Sequence, residues 1–228
     1  MEKKNTILLT VIAVATLLVA VVGATFAYFT ATSGTDGDGA STGEVKTATV
    51  ASVKLTTAEV GKTSNTVYPG TMNYAAMSVA ASKEGTDSAN YTLTYTVNGT
   101  VTLGAEFTEG DVYYTVYRTT SQVATPVACS PVSTKADPAG TQYSQSCNTT
   151  ALTSASAEEV QAKTAVEGTS ASISIKNQSL TTESGKTYYY YLVVEYENTG
   201  TTQNLDQNKS ITAELTDVSI TNTAQAGA

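Results

Sequence analysis

The sequence of 228 residues contains no histidine and no tryptophan. Without histidine, Ser-His-Asp and Cys-His nucleophilic catalysis are excluded, and so are zinc sites that need an imidazole ligand. Positive charge is also scarce, because 12 lysines and arginines stand against 20 acidic residues and give a net charge of −8. An acidic surface keeps a protein soluble and argues against nucleic acid or anionic lipid as a partner.

Cysteine occurs only twice, as Cys129 and Cys147. The two residues lack the Cys-x-x-Cys spacing of a redox-active pair, and no histidine is present to activate either thiol. In an exported protein such an isolated pair is predicted to form a disulfide, whereas a reactive thiol pair is the alternative. The bridge would close a loop rich in serine and proline and stabilise the fold by about 3 kcal/mol.

The longest uncharged run lies near the N-terminus, between Lys4 and Asp36. A basic start, an apolar run and small residues at Thr25 and Ala27 predict a secretory signal peptide, residues 1–27, cleaved before Tyr28. An uncleaved membrane anchor is the alternative, since roughly 20 apolar residues can cross a bilayer as a helix. Both interpretations predict that the remainder is extracellular, either secreted or held at the cell surface.

The residues after the predicted cleavage site divide into a short apolar strand and a polar segment. We predict an N-terminal strand and a flexible linker over residues 28–43, because Ser33–Gly43 is rich in glycine, serine, threonine and aspartate. Asp36–Gly39 has part of the pattern of a calcium loop, but the carboxylate that ends such a loop is missing. No metal and no cofactor is predicted, and residues 44–228 are predicted to form one β-sandwich domain.

Threonine, valine and tyrosine, which fit a pleated and half-buried surface, are frequent in that domain. It is predicted to be all-β, an antiparallel two-sheet sandwich of jelly-roll type with one short helix. We expect a bulge near Thr216-Asp217, where the apolar alternation slips by one residue. The alternation predicts these strands: Val45–Leu55, Tyr91–Val97, Val112–Tyr117, Ser172–Ile175, Tyr188–Tyr196 and Ile211–Ile220.

Two further local patterns concern a turn and a helix. Asn98-Gly99, with apolar alternation on both sides, predicts a hairpin turn directly after the second predicted strand. Ser156-Ala157-Glu158-Glu159 has the pattern of a capping box. It predicts a helix that begins there and stops at Gly168, which would be the one helix of the domain.

The strand Tyr188–Tyr196 contains the residues considered as a surface site. If its even-numbered residues face the core, Tyr189 and Tyr191 point outward and form an exposed aromatic surface that could stack on sugars. The alternative is that this strand is central and buried on both faces. Glu195 and Glu197 are two residues apart and therefore point to the same side of the strand. This is the predicted outer face, where carboxylates are common. No catalytic residue is predicted, and the protein is expected not to be an enzyme.

The predicted cleavage junction, Gly23-Ala24-Thr25-Phe26-Ala27-Tyr28-Phe29-Thr30, resembles the signal-peptide end of the TasA/camelysin (CalY) family. Tyr68-Pro69-Gly70 and the stretches Tyr188–Val194 and Glu197–Gly200 are similar to strands and turns of such proteins. The family consists of secreted bacterial proteins that are processed by a SipW-type signal peptidase. Camelysin relatives have been labelled metallopeptidases, but this sequence contains no His-Glu-x-x-His motif and supports no zinc hydrolysis.

The resemblance implies a jelly-roll domain that assembles into extracellular fibres of the biofilm matrix. By position, the donor strand would be Tyr28, Phe29, Thr30, Ala31 and Thr32, which would complete a sheet in the next subunit. The implied partners are the protein itself in a head-to-tail homopolymer, a SipW-type signal peptidase, and other matrix proteins or polysaccharide. The alternative hypothesis is a monomeric surface binding module, secreted or membrane-anchored, that holds a glycan or a host protein through Tyr189 and Tyr191.

Overall fold

The computed structural model describes residues 32–36, 40–46, 52–61, 63–66, 68–84, 89–108, 111–137, 140–183, 186–201, 203–206 and 209–225. These segments contain one short helix, α1 (Thr150–Ser154), and one 3₁₀ turn (Asn204–Asp206). All other regular elements of the segments are strands: β1 (Thr32–Asp36), β2 (Ala40–Lys46), β3 (Ser52–Gly61), β4 (Thr63–Thr66), β5 (Met72–Glu84), β6 (Tyr91–Leu103), β7 (Val112–Thr119), β8 (Ala128–Asp137), β9 (Gly140–Asn148), β10 (Glu158–Ala165), β11 (Ser170–Thr181), β12 (Thr187–Tyr196) and β13 (Ser210–Gln225).

The strands form two larger sheets and one separate hairpin. Sheet A has the strand order β1-β2-β3-β5-β12-β7-β10, and sheet B has the order β11-β6-β13-β4. β8 and β9 pair with each other as a two-stranded sheet. All of these pairings are antiparallel, and sheets A and B pack against each other around one core. The predicted all-β, antiparallel two-sheet sandwich is therefore confirmed.

The main core fills the space between the inner faces of the two sheets. Successive side chains of a strand point to opposite faces, so an alternating sequence places one apolar row inward. In β6 this row contains Leu93, Tyr95 and Val97, and in β12 it contains Tyr190 and Leu192, all of which are fully buried. The hydroxyl oxygens of Tyr95 and Tyr190 lie 2.8 Å apart, so a hydrogen bond joins the two sheets inside the core.

A second, smaller cluster covers the outer face of sheet A. Ala76 of β5 and both Tyr191 and Val193 of β12 are buried there together with Leu152 of α1. Because β12 lies between β5 and β7 and is covered on both faces, its successive residues Tyr190–Val194 are all buried regardless of their parity. This explains why its sequence is the most hydrophobic of the predicted strands.

The hairpin predicted at Asn98-Gly99 is wrong, because β6 runs through both residues without turning. A Cβ at Gly99 would lie 2.8 Å from the carbonyl oxygen of Glu214, so glycine is needed where β13 approaches closely. At this point β13 shifts its register, which confirms the bulge predicted near Thr216-Asp217. Asn98 Nδ2 donates to Asp217 Oδ2 at 3.2 Å. The Asn-Gly pair therefore forms no turn. It accommodates the bulge in β13, the neighbouring strand.

The helix predicted from Ser156 is also wrong, because Glu158–Ala165 forms β10 at the edge of sheet A. The valines that favour an amphipathic helix also suit this strand, since Val160 and the following Val166 pack against the main core. As a strand, the segment satisfies backbone groups on the open side of β7. The helix of the described segments, α1, ends before Ser156, whose positive φ of 54° reverses the chain toward β10.

Other strands differ from the predictions mainly in length. The predicted strand Ser172–Ile175 is the first half of β11, which continues to Thr181 because Gln178 and Leu180 are also buried. The predicted strand Val45–Leu55 covers the end of β2 and the start of β3. The alternation over Val45–Leu55 is imperfect, so the sequence pattern did not reveal this division into two strands.

Candidate assembly site at a sheet edge

The residues predicted for export and strand donation lie almost entirely outside the described segments. This applies to the cleavage residues Thr25 and Ala27 and to Tyr28, Phe29, Thr30 and Ala31, so their roles stay predictions. The fifth donor residue, Thr32, begins β1. The predicted linker differs from the structure, because β1 pairs with β2 from Thr32 opposite Glu44 to Asp36 opposite Ala40. These residues extend sheet A rather than forming a free linker.

The predicted disulfide between Cys129 and Cys147 is present, with a Cα–Cα distance of 4.1 Å. The two cysteines are directly opposite each other in β8 and β9. A two-stranded hairpin is only marginally stable by itself, so the bridge holds its base together. The same base is attached to the sandwich, because Gln145 N–H donates to the Pro69 carbonyl oxygen at 2.8 Å and Met72 N–H lies 3.2 Å from Cys147 Sγ.

The aromatic surface predicted at Tyr189 and Tyr191 is not an exposed surface. Tyr191 retains 1% of its accessible area, and Tyr189 is half-buried. Val123 N–H donates to Tyr191 Oη at 2.6 Å, and Leu152 packs in the same cluster. The segment before β8 and helix α1 therefore cover this face of β12. Alternation along one strand cannot reveal such a cover, because the covering segments come from elsewhere in the chain.

The two glutamates of the predicted outer face each form a hydrogen bond in the structure, Glu195 through its carboxylate and Glu197 through its backbone. Glu195 Oε2 accepts a hydrogen bond from Lys163 Nζ at 2.6 Å, and Glu197 N–H donates to the Asp111 carbonyl oxygen at 3.0 Å. Within the described segments, no group of three or more histidine, cysteine, aspartate or glutamate side chains is arranged to hold a metal ion. In the same segments, no helix has the length and apolar character to cross a membrane.

β11 is the outermost strand at one end of sheet B, and β4 lies at the other end. β11 pairs with β6 on one side, and no described strand pairs with it on the other. Its inner face buries Ile173, Ile175 and Leu180 in the main core, whereas the side chains of Ser172 and Ser174 are exposed. Packing therefore fixes the strand in place while one row of its backbone groups lies at the sheet edge.

The hydrogen-bond pattern identifies the backbone groups on this open side. Leu103 N–H donates to the carbonyl oxygen of Thr169, directly before β11, at 2.8 Å. Hydrogen-bonded and non-hydrogen-bonded pairs alternate along an antiparallel ladder, so residues 171, 173 and 175 bond to β6 in turn. The N–H and C=O groups of Ser170, Ser172 and Ser174 consequently point away from β6.

The open side of β11 includes a stretch of six residues without charge, Ser170–Ile175. Its register with β6 is regular throughout, and the first shift comes between Ile175 and Gln178. Lys176 and Asn177 occupy this bulge, and Asn177 has a positive φ of 58°. A lysine and a bulge are both features that protect edge strands from further pairing. The protection of β11 thus starts only where the regular stretch ends.

β10, the outermost strand at one end of sheet A, differs from β11 in the regularity of its pairing and in its charge. Its register with β7 shifts twice, between Glu159 and Gln161 and between Gln161 and Thr164. It also carries three charged residues among eight, at Glu158, Glu159 and Lys163. Irregular pairing and charge both oppose the addition of another strand. Of these two edges, β11 is therefore the candidate assembly site.

A polar network ties both edge strands to the core. Arg118 of β7 donates to Gln178 Oε1 of β11 at 2.9 Å and forms an ion pair with Glu158 of β10. Tyr190 Oη donates to the same Gln178 oxygen at 3.1 Å. Burial raises the pKa of Tyr190 to about 12 and raises the pKa of Tyr95, its hydrogen-bond partner, still further. The network therefore holds two neutral phenols and one charged guanidinium behind the β11 edge.

No family model matches this chain, and no curated protein matches it. We therefore infer the function of this chain from its own geometry and sequence. Sequence analysis missed the β11 edge because the outermost position of a strand depends on pairing between distant segments. The signal that could have drawn attention to it is the uncharged serine and isoleucine alternation of Ser170–Ile175, which ends at Lys176.

Proposed function

We propose that the protein is a secreted structural subunit of extracellular fibres, in a biofilm matrix or at a cell surface. Subunits join head to tail when Tyr28–Thr32 of one copy adds to the open side of Ser170–Ile175 in the next. Thr32 also pairs with Glu44 in sheet A of its own copy, so the donor continues directly from β1. The observation that carries this proposal is the regular, uncharged and unpaired side of β11. The disulfide Cys129–Cys147 supports the extracellular location, because such bonds persist in oxidising surroundings.

The two segments suit each other in length and chemistry. The donor has five residues, and the acceptor stretch has six, of which three direct their backbone groups outward. Each backbone hydrogen bond formed contributes about 1 kcal/mol net, and burial of the rings of Tyr28 and Phe29 adds about 25 cal/mol per Å². Donor and acceptor are different surfaces, so the contact is heterologous, and repeating it without closure gives a filament.

Deletion of Tyr28–Thr32 from the full chain tests the donor half of this proposal. We expect the wild-type protein purified from culture to form fibres in negative-stain microscopy and the deletion variant to stay monomeric with an unchanged circular dichroism spectrum. A matched control exchanges the two rings, Tyr28→Phe with Phe29→Tyr, and is expected to assemble because the apolar area is kept.

Intact mass of each secreted protein separates processing from assembly. A wild-type chain that still begins at Met1 contradicts the predicted signal peptide but leaves strand addition open to the same microscopy. Fibres of normal length from the deletion variant contradict donation by Tyr28–Thr32. A correctly processed wild-type protein that stays monomeric at high concentration contradicts the fibre function as a whole.

A further inference from the structure

A concave site of about 200 Å³ lies on the outer face of sheet A and uses neither the N-terminal residues nor β11. Pockets for drug-sized molecules hold about 300–1,000 Å³, so this volume suits one small ring. Strands β7, β10 and β12 supply its functional groups, which are two aromatic rings and three charged side chains: Tyr113, Tyr117, Glu159, Lys163 and Glu195.

The two tyrosine rings differ in their contacts. Lys163 Nζ lies 4.5 Å from the centre of the Tyr113 ring, in a cation–π contact. Among the described residues, Tyr117 takes part in no cation–π contact and in no stacked or edge-to-face ring pair, although Tyr191 is its cross-strand neighbour. Tyr117 is half-buried and packs against the cluster of Leu152 and Tyr191. Its ring is therefore held in position while part of it remains accessible from the site.

The charged groups of the site are two carboxylates and one ammonium, which give a net charge of −1. Lys163 Nζ donates to Glu195 Oε2 at 2.6 Å, and this hydrogen bond raises the pKa of Lys163. Glu159 is exposed, and its carboxylate has no hydrogen bond or ion pair with any described side chain. The site thus offers acceptors for hydroxyl groups and repels anions.

We infer that this site binds one uncharged hexose unit of a glycan. A hexose ring has a C–H face that packs on an aromatic ring, and its hydroxyl groups donate to carboxylates. Tyr117 supplies the ring, Glu159 and Glu195 supply acceptors, and Lys163 supplies a donor. Uronic acids and phosphorylated sugars are disfavoured, because the site is negative and the whole chain has a net charge of −8.

Equilibrium dialysis of the full-length protein tests this inference whether the protein is monomeric or assembled into fibres. The probes are neutral oligomers of glucose, galactose and N-acetylglucosamine, with a galacturonate oligomer of equal length as the acidic counterpart of galactose. We expect saturable binding of at least one neutral oligomer and at least about tenfold weaker binding of galacturonate, a difference of about 1.4 kcal/mol. Absence of binding by all three neutral oligomers, or equal binding of galacturonate, overturns the inference.

Substitutions locate the binding. Tyr117→Ala is expected to weaken the neutral oligomer about tenfold, whereas Tyr117→Phe keeps the ring and the affinity. Tyr68→Ala is the control, because Tyr68 is 40% exposed and lies outside this site. Glu159→Gln keeps the shape of the site and should reduce its discrimination against galacturonate, which separates recognition from any loss of packing at Tyr117. Binding that neither Tyr117→Ala nor Glu159→Gln alters overturns the assignment, and no result here bears on fibre formation.

Discussion

The edge strands β10 and β11 belong to different sheets, and their open sides differ in nearly every respect. β10 has two register shifts and three charged residues, whereas β11 is regular and uncharged from Ser170 to Ile175. Both strands are nevertheless attached to the same side chain, Arg118. The comparison teaches that edge protection is complete along β10 and begins only at Lys176 in β11, so Ser170–Ile175 is the more available of these two edges for strand addition.

Removal of an outward-pointing N–H group from β11 is expected to have the largest effect, which is the loss of fibre formation. Ser172→Pro deletes a donor that points away from β6 and leaves the β6 ladder intact, so we expect a folded protein that forms no fibres. Ser172→Ala keeps the N–H and is expected to assemble normally. Ala162→Pro in β10 should also assemble. Negative-stain microscopy decides, and fibres from Ser172→Pro but not from Ala162→Pro would assign the acceptor to β10 instead.

Removal of the disulfide tests whether the hairpin β8–β9 contributes to stability alone or also to assembly. Cys129→Ser with Cys147→Ser is expected to lower the free energy of unfolding by about 3 kcal/mol, because the bridge closes a loop with a sequence separation of 18. Urea denaturation measures the loss. Fibres should still form under conditions where the variant is folded, since β11 does not pair with the hairpin. Loss of assembly in the folded variant would show that the hairpin takes part.

Substitution of Arg118 tests whether this side chain stabilises both β10 and β11. Arg118→Met keeps the apolar stem but removes the hydrogen bond to Gln178 and the ion pair with Glu158, so we expect a loss of about 2 kcal/mol. Amide hydrogen exchange should become faster in both β10 and β11. Glu158→Gln is the control and should cost less than about 1 kcal/mol, because its carboxylate is largely exposed. Faster exchange in only one strand would contradict a shared anchor.

The smallest expected effect is an alkaline loss of stability that starts at β11. The pKa of Tyr190 is raised to about 12 from an ordinary value of 10.0. The unfolded chain therefore releases this proton first, and the stability contributed by neutral Tyr190 is complete below pH 10 and is lost as the pH rises toward 12. At about pH 11 the loss is about 1.4 kcal/mol.

Tyr190→Phe provides the comparison for this pH effect. The variant loses its hydrogen bond to Gln178 at every pH, but its free energy of unfolding should fall less steeply above pH 10 than that of the wild type. Hydrogen exchange at high pH should increase in β11 before β10, because Tyr190 bonds to β11 alone of the two. Equal slopes for both proteins would show that Tyr190 does not carry the alkaline transition.

Sequence reasoning succeeded where a local pattern has only one physical explanation. The alternation in Tyr91–Val97 and in Tyr188–Tyr196 indicates a strand with one buried row, and both segments lie in strands with that row in the core. The slip near Thr216-Asp217 indicates a bulge, which is present. In each case the cause lies within the strand itself, because burial of alternate residues needs no knowledge of the neighbouring segment.

Prediction from sequence failed where one local pattern fits two structures and a distant segment selects between them. Asn98-Gly99 suits a turn, yet the close approach of β13 requires glycine within a continuous strand. The residues after Ser156 suit a helix, yet β7 offers them an unpaired edge. Tyr191 follows the outward parity of its strand, yet Leu152 and Val123 bury it.

The sequence by itself determined the all-β class, the disulfide pair, the absence of histidine chemistry and the inward rows of the central strands. These properties follow from composition and from the two-residue period of a strand, both of which are local. Only the tertiary structure decided that β11 is an edge, that β12 is buried on both faces and that Tyr117, Glu159 and Lys163 share one concave site. Each of these depends on which strands become neighbours, and strand pairing is fixed by the packing of residues far apart in the chain.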